Sequence, residues 1–112
     1  MRYLKNIKPY DVINMLDFVT HKGNQISSKA ITDNDAVEIR FFSAAKGEEI
    51  DKEEYPQETI FICLEGKIQI NYKDNDEVIL KQGEMLSLES GIDYGLKVLE
   101  PSKFYNILIK TD

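Results

Sequence analysis

Histidine and cysteine each occur once in this chain of 112 residues, as His21 and Cys63. A lone cysteine excludes an intrachain disulfide, and a lone histidine excludes any metal site within one chain that needs two imidazoles. Basic residues are outnumbered, with 14 Lys and Arg against 20 Asp and Glu and a formal net charge of -6. Nucleic acid and anionic membrane surfaces select clustered Lys and Arg, so neither is an expected partner. No apolar run is long enough to span a bilayer, and no signal-peptide core follows Met1, which makes the cytoplasm the expected compartment.

What is present is an ordinary globular composition, 42% hydrophobic and 30% charged, at a length that suits one modest core and no second domain. Residues 1–33 are irregular and read as an N-terminal arm. Within it Val12, Ile13, Leu16 and Val19 are spaced as one face of a short helix or turn with Asp11 as N-cap, and Gln25 to Ile31 reads as a strand. The polar cluster Thr32, Asp33, Asn34 and Asp35 is expected to be a loop joining the arm to a body formed by residues 34–112.

From Ala36 the pattern changes to short strands. Val37, Ile39 and Phe41 alternate with Glu38, Arg40 and Phe42, the period of a strand with one buried face. Residues 47–58 read as an acidic loop feeding Thr59 to Glu65, a strand that stops at Gly66. It is apolar on both faces, with Ile60, Ile62 and Leu64 opposite Phe61 and Cys63. Lys67 to Tyr72 and Glu77 to Lys81 flank Lys73, Asp74, Asn75 and Asp76, a hairpin signal. Met85 to Leu88 and Tyr94 to Leu99 follow, and Pro101 and Ser102 turn the chain into Lys103 to Lys110. Several short strands with turn signals between them read as an all-β sandwich or barrel.

The glycines carry a more specific signal. Gly47, Glu53, Tyr55, Thr59 and Gly66 stand at the intervals of the first motif of the cupin family, which reads Gly, His, His, Glu, Gly. Gly83, Glu89, Gly91, Tyr94 and Val98 stand at those of the second, Gly, Pro, Gly, His, Asn. All the glycines are kept, while the proline and every metal ligand are replaced. The chain thus resembles small type-2 conserved-barrel cupins over its last two thirds. That resemblance implies an RmlC-like jelly-roll barrel with a short N-terminal arm.

The resemblance also implies where a site lies. A family metal would sit at the positions of Glu53, Tyr55, Thr59 and Tyr94, but a threonine and two neutral phenols are poor ligands and one carboxylate holds a divalent ion weakly. No metal and no cofactor is therefore expected. His21, outside both motifs and beside Lys22 and Gly23, reads as a surface loop residue. The same four positions instead place a carboxylate, two phenols and a hydroxyl at the rim of a cavity lined by Phe61, Cys63 and Leu96, a description of a small-molecule site.

Three readings stay open: a metal-free binding module, a structural or interaction protein, and a cofactor-independent isomerase or epimerase. In the last, a desolvated Glu53 serves as base and Tyr94 or Tyr55 as acid. Some sugar epimerases of the wider family use a proton-transfer pair whose base is a histidine, and none stands at these positions. Arg40 on the face of Glu38 and Phe42 reads as an exposed ion pair with Glu38, or as a pocket cation if that face is interior. Asn106, among apolar neighbours, needs a hydrogen-bond partner if buried. The outward stripe Ile60, Ile62 and Leu64 calls for cover, either from a second copy in a homodimer or from the arm through Ile7, Val12, Ile13 and Leu16.

Overall fold

The computed structural model describes residues 2–110. Among them the helical content is one 3-10 turn, Met15–Asp17, and the rest is built from seven strands: β1 (Ser27–Asp33), β2 (Val37–Ala44), β3 (Glu49–Tyr55), β4 (Glu58–Tyr72), β5 (Asp76–Lys81), β6 (Met85–Leu88) and β7 (Ile92–Ile109). Every pairing is antiparallel, in the order β1-β2-β7-β4-β5 with β3 added to β7 and β6 to β4.

Two long strands make this a barrel. The first half of β4 pairs with the second half of β7, Glu58 opposite Ile109 through Glu65 opposite Lys103. Its second half pairs with the first half of β7, Lys67 opposite Glu100 through Tyr72 opposite Tyr94. The first halves of that exchange join β1, β2 and β6 into one layer, and the second halves join β3 and β5 into the facing layer. The result is a jelly-roll barrel, as the strand pattern and the glycine spacing predict.

Neither Gly66 nor Pro101 ends a strand, contrary to expectation. The pairing register slips between Cys63 and Ile68, and Gly66 sits in the slip with φ 85. A bulge bends a strand without ending it, and the bend is what carries β4 and β7 from one layer to the other. The acidic stretch after Gly47 is likewise a strand and not a loop. Its ladder with Ile92 to Lys97 overrides the poor β propensity of its Glu, Asp and Lys residues, and its charged side chains fall on an exposed edge. β1 extends through Thr32 and Asp33, leaving the turn to Asn34, Asp35 and Ala36, where the Asn34 side chain accepts from the Ala36 and Val37 N–H groups.

The arm closes one outer face. Lys5 N–H donates to the Ile31 carbonyl, Asn6 Nδ2 to that of Ala30, and Thr32 Oγ1 to that of Tyr3. The N-cap of the 3-10 turn is Asn14, whose side chain accepts from Leu16 N–H, and not Asp11. Phe18 meets the edge of Phe41 at 5.2 Å, and Phe18, Val19 and Ile7 pack with Ile31, Ile39, Leu64 and Tyr105. Of the stripe on β4, Leu64 is thus covered within the chain, though by Ile7, Phe18 and Val19; Val12 is fully exposed. The larger core lies between the layers and contains Phe61, Cys63, Ile68, Ile70, Tyr94, Leu96, Val98 and Phe104. No helix among the described residues is long and apolar enough to cross a membrane.

Candidate functional site

Between the layers, at one end of the barrel, a cavity of about 310 Å³ is left unfilled. Strand periodicity decides what faces it. Along β7 the inward residues alternate as Tyr94 and Leu96 and, past the bend, Phe104, Asn106 and Leu108; along β4 they are Thr59, Phe61 and Cys63. On β2 the inward set is the polar one. Val37, Ile39 and Phe41 turn to the outside and the arm, so Glu38, Arg40 and Phe42 face in, and the apolar alternation in the sequence marks the outer face.

Aromatic rings form one wall. Tyr55 stacks on Tyr94 with centroids 4.3 Å apart, and Phe61 meets Tyr94 edge-on at 5.7 Å. Opposite, Phe42 lies on Phe104 at 4.9 Å, and Ile50, Leu96 and Leu108 complete the apolar lining. Tyr94 is only 4% exposed, and its hydroxyl shares a 2.7 Å hydrogen bond with Thr59 Oγ1. Burial pushes the Tyr94 phenol up to about 12, with the Thr59 bond pulling the other way. Burial also raises Tyr55, reinforced by the charge of Glu53.

The polar end of the cavity comes from Glu38 and Asn106. Glu38 accepts from Arg40 Nε at 3.0 Å and lies 3.9 Å from Lys110 Nζ, while Arg40 Nη1 reaches Ser28 Oγ at 3.2 Å. Arg40 therefore faces inward but is spent on Glu38 and is not part of the lining. Asn106, opposite Arg40 on one side and Phe61 on the other, has a buried Oδ1 with no hydrogen-bond partner among the described residues.

The seven residues expected at the site divide. Tyr55, Phe61, Tyr94 and Leu96 line the cavity. Thr59 is fully buried behind Tyr94, holding its hydroxyl. Cys63 lies outside the lining, because two residues beyond Phe61 the strand has reached the packed end of the barrel; there its Sγ contacts the Glu65 and Gly66 carbonyls, and burial raises the thiol. Glu53 also lies outside it. Its backbone is paired with Tyr94, but the register slip between Ile50 and Glu53 leaves the side chain exposed. The base and the acid of a Glu53–Tyr94 proton-transfer pair are thus not brought together in the cavity.

The residues present do not fit a metal. The hydroxyls of Thr59 and Tyr94 are bonded to each other, the phenol is held protonated, and among the described residues no three of His, Cys, Asp and Glu come together. His21 is half-buried rather than a free surface residue: its Nδ1 lies 3.3 Å from the Ser43 carbonyl, in a separate cleft with Glu65 and Lys103.

No family model matches the chain, and no curated protein matches it by sequence. Solved structures do. A conserved protein of unknown function from Streptococcus pyogenes superposes with a TM-score of 0.93 at 23% identity, over 100% of this chain and 97% of that one. A cupin superfamily protein from Desulfitobacterium hafniense gives 0.90 at 24% identity, over 98% and 100%. A cupin 2 conserved barrel domain protein from Leptotrichia buccalis gives 0.87 at 24% identity over 97% of this chain, which spans only 51% of that protein. At these identities the likeness establishes the fold, which is that of the cupins.

Proposed function

We propose that this cupin-fold chain binds a small organic molecule in the barrel cavity and does so without a metal ion. The observation that carries the reading is the unpartnered, buried Oδ1 of Asn106 at the edge of an aromatic-walled cavity of about 310 Å³. A buried acceptor left unpaired costs about 1–3 kcal/mol, and a ligand that donates to it once the carboxamide turns its oxygen toward the cavity recovers that cost. Apolar walls with one or two convergent polar groups are the ordinary form of a small-molecule pocket.

Binding is favoured over catalysis by the same residues. The cavity's carboxylate, Glu38, is engaged by Arg40, and its buried phenol, Tyr94, titrates near 12, far above the range useful to a general acid or base at neutral pH.

A thermal-shift screen of small molecules, followed by titration of the hits into variants, tests the proposal. Hits raise the melting temperature of the parent and bind more weakly to Asn106→Leu and Tyr55→Ala, while Glu53→Gln binds as the parent does. Hits that bind Asn106→Leu and Tyr55→Ala unchanged remove the cavity as the site. Turnover of a hit by the parent that disappears in Glu53→Gln establishes the isomerase or epimerase reading in its place.

A further inference from the structure

We infer that the barrel cavity selects an uncharged, flat ligand carrying a carboxamide, lactam or imide edge, held by the Asn106 side chain; this rests on the cavity being a binding site. Three independent features of the lining converge on that class.

Charge comes first. Among the described residues the lining contains no cationic side chain, and its one carboxylate, Glu38, already has Arg40 Nε at 3.0 Å and, farther off at 3.9 Å, Lys110 Nζ, which bonds Asp33 at 2.6 Å. An anionic ligand meets Glu38 and finds Arg40 and Lys110 already paired with carboxylates, and a cationic one competes with Arg40 for Glu38. Either pays a desolvation cost that a neutral ligand avoids.

Shape comes second. Tyr55 and Phe42 line the cavity, and each is backed by a ring stacked behind it, Tyr94 at 4.3 Å and Phe104 at 4.9 Å. Rings fixed in this way cannot swing aside to admit a bulky group, and flat apolar surface is what they accommodate.

The hydrogen-bonding pattern comes third. Tyr94 and Thr59 share one hydrogen bond, so each oxygen has a partner, and the acceptor of the site left without one is in the Asn106 carboxamide. Its Oδ1 is buried without a donor, and a carboxamide presents N–H donors beside that acceptor. The partner that answers both ends of a carboxamide is another amide edge, with N–H and C=O side by side. A hydroxyl or an ether answers only one.

An isosteric series separates this inference from the binding reading beneath it. Benzamide, benzoate, benzamidinium and toluene share one ring and differ in charge and edge. Each is titrated into the parent, Asn106→Leu and Asn106→Asp, following the methyl resonances of Ile50, Leu96 and Leu108. Benzamide is expected to bind about tenfold more tightly than the other three, and Asn106→Leu to remove that advantage. Asn106→Asp should shift the preference to benzamidinium. Because Asn106→Leu also deletes a buried unpaired acceptor, its ligand-free melting temperature should equal or exceed that of the parent, whereas a structural asparagine would give a fall.

Benzoate or benzamidinium matching benzamide in the parent overturns the ligand class and leaves the cavity reading standing. Toluene matching benzamide, with Asn106→Leu indifferent to both, overturns the role of Asn106. If none of the four perturbs the cavity methyls at millimolar concentration, the binding reading falls and this inference with it.

Discussion

Replacing Gly66 by alanine is expected to damage the barrel far more than the same change at Gly83, although both residues have nearly the same backbone conformation, φ 85 and φ 84. The left-handed conformation costs any residue with a Cβ about 1–2 kcal/mol, and at Gly83, where a Cβ meets nothing within 4 Å, that is the whole cost. At Gly66 the Cβ lies 2.8 Å from Ser102 Cα and closer still to the Pro101 carbonyl oxygen and Ser102 Oγ. Two of those three atoms are backbone and cannot swing away, so β7 must move. Forcing atoms into a packed site costs a further 1–3 kcal/mol, roughly.

The displaced Ser102 adds to it. Its buried Oγ accepts from Lys67 N–H at 2.9 Å and donates to the Glu100 carbonyl at 2.6 Å, the bonds that tie the two bends together. Leaving one such group unsatisfied costs about 1–3 kcal/mol. The sum for Gly66→Ala is about 3–8 kcal/mol, a large part of a total stability of about 5–15 kcal/mol. At roughly 4 °C per kcal/mol for a domain of this size, Gly83→Ala lowers the melting temperature by about 4–8 °C. Gly66→Ala lowers it by at least about 12 °C or prevents folding. Calorimetry on the two variants and on Ser102→Ala measures this; equal losses at Gly66 and Gly83 refute the close-approach argument.

Three further expectations can be checked directly. Tyr94 titrates near 12 in the folded protein against 10.0 for a free tyrosine, so its contribution to stability is full below pH 10 and is lost as the pH rises toward about 12. Denaturant unfolding across that window should show a steeper decline in the parent than in Tyr94→Phe, and identical slopes count against the buried phenol. On the outer sheet face Ile60, Ile62 and Ile107 are only half covered and Met85 is 65% exposed, beyond the reach of the arm; a second copy seated there is the cover we propose. With about 1.5–3 kcal/mol for each fully buried side chain, sedimentation should give a dimer that Ile62→Lys converts to monomer or aggregate, whereas a monomeric parent rules it out. Purified protein should carry well under one transition metal per chain and melt at the same temperature with chelator; one removable metal per chain, lost with stability, contradicts this.

The barrel was legible because glycine intervals and strand alternation report backbone demands directly. A residue with positive φ inside an extended pattern has few alternatives to glycine, and Gly66, Gly83 and Gly91 all take that conformation. What a glycine is for was harder to read: the same letter closes a turn at Gly83 and bends a continuous strand at Gly66, and the choice depends on Pro101 and Ser102, 35 and 36 positions away. β3 was hidden for a related reason, since its acidic residues carry no strand propensity and its ladder to β7 joins segments remote in sequence. The site was legible in part. Motif spacing placed Tyr55 and Tyr94 on the cavity wall, but a one-residue slip in β3 put Glu53 outside. Glu38 was missed because the apolar alternation of β2 marks the arm-covered face, and nothing local tells an outer hydrophobic stripe from an inner one. Asn106, a lone amide in an apolar strand, and the interior alternative for the face of Arg40 and Glu38 were the signals of the polar end that the sequence did contain.

These displacements have a common consequence. The motif positions lie on both layers, Glu53, Tyr55 and Tyr94 on that of β3 and the first half of β7, and Thr59 on that of the first half of β4. Here the hydroxyls of Tyr94 and Thr59 are bonded to each other and Tyr55 stacks on Tyr94, so these positions give the cavity an aromatic wall. Glu38 and Asn106, on β2 and the second half of β7, share the layer of Thr59 and form the polar end of the cavity. Under the proposed reading, the side chain that holds a ligand there is rooted in the bent strand itself, in register with Arg40 and Phe61 on either side. Substitutions at the old motif positions should therefore alter the shape of the cavity and the stability of the protein, while changes at Asn106 alter which molecule it holds.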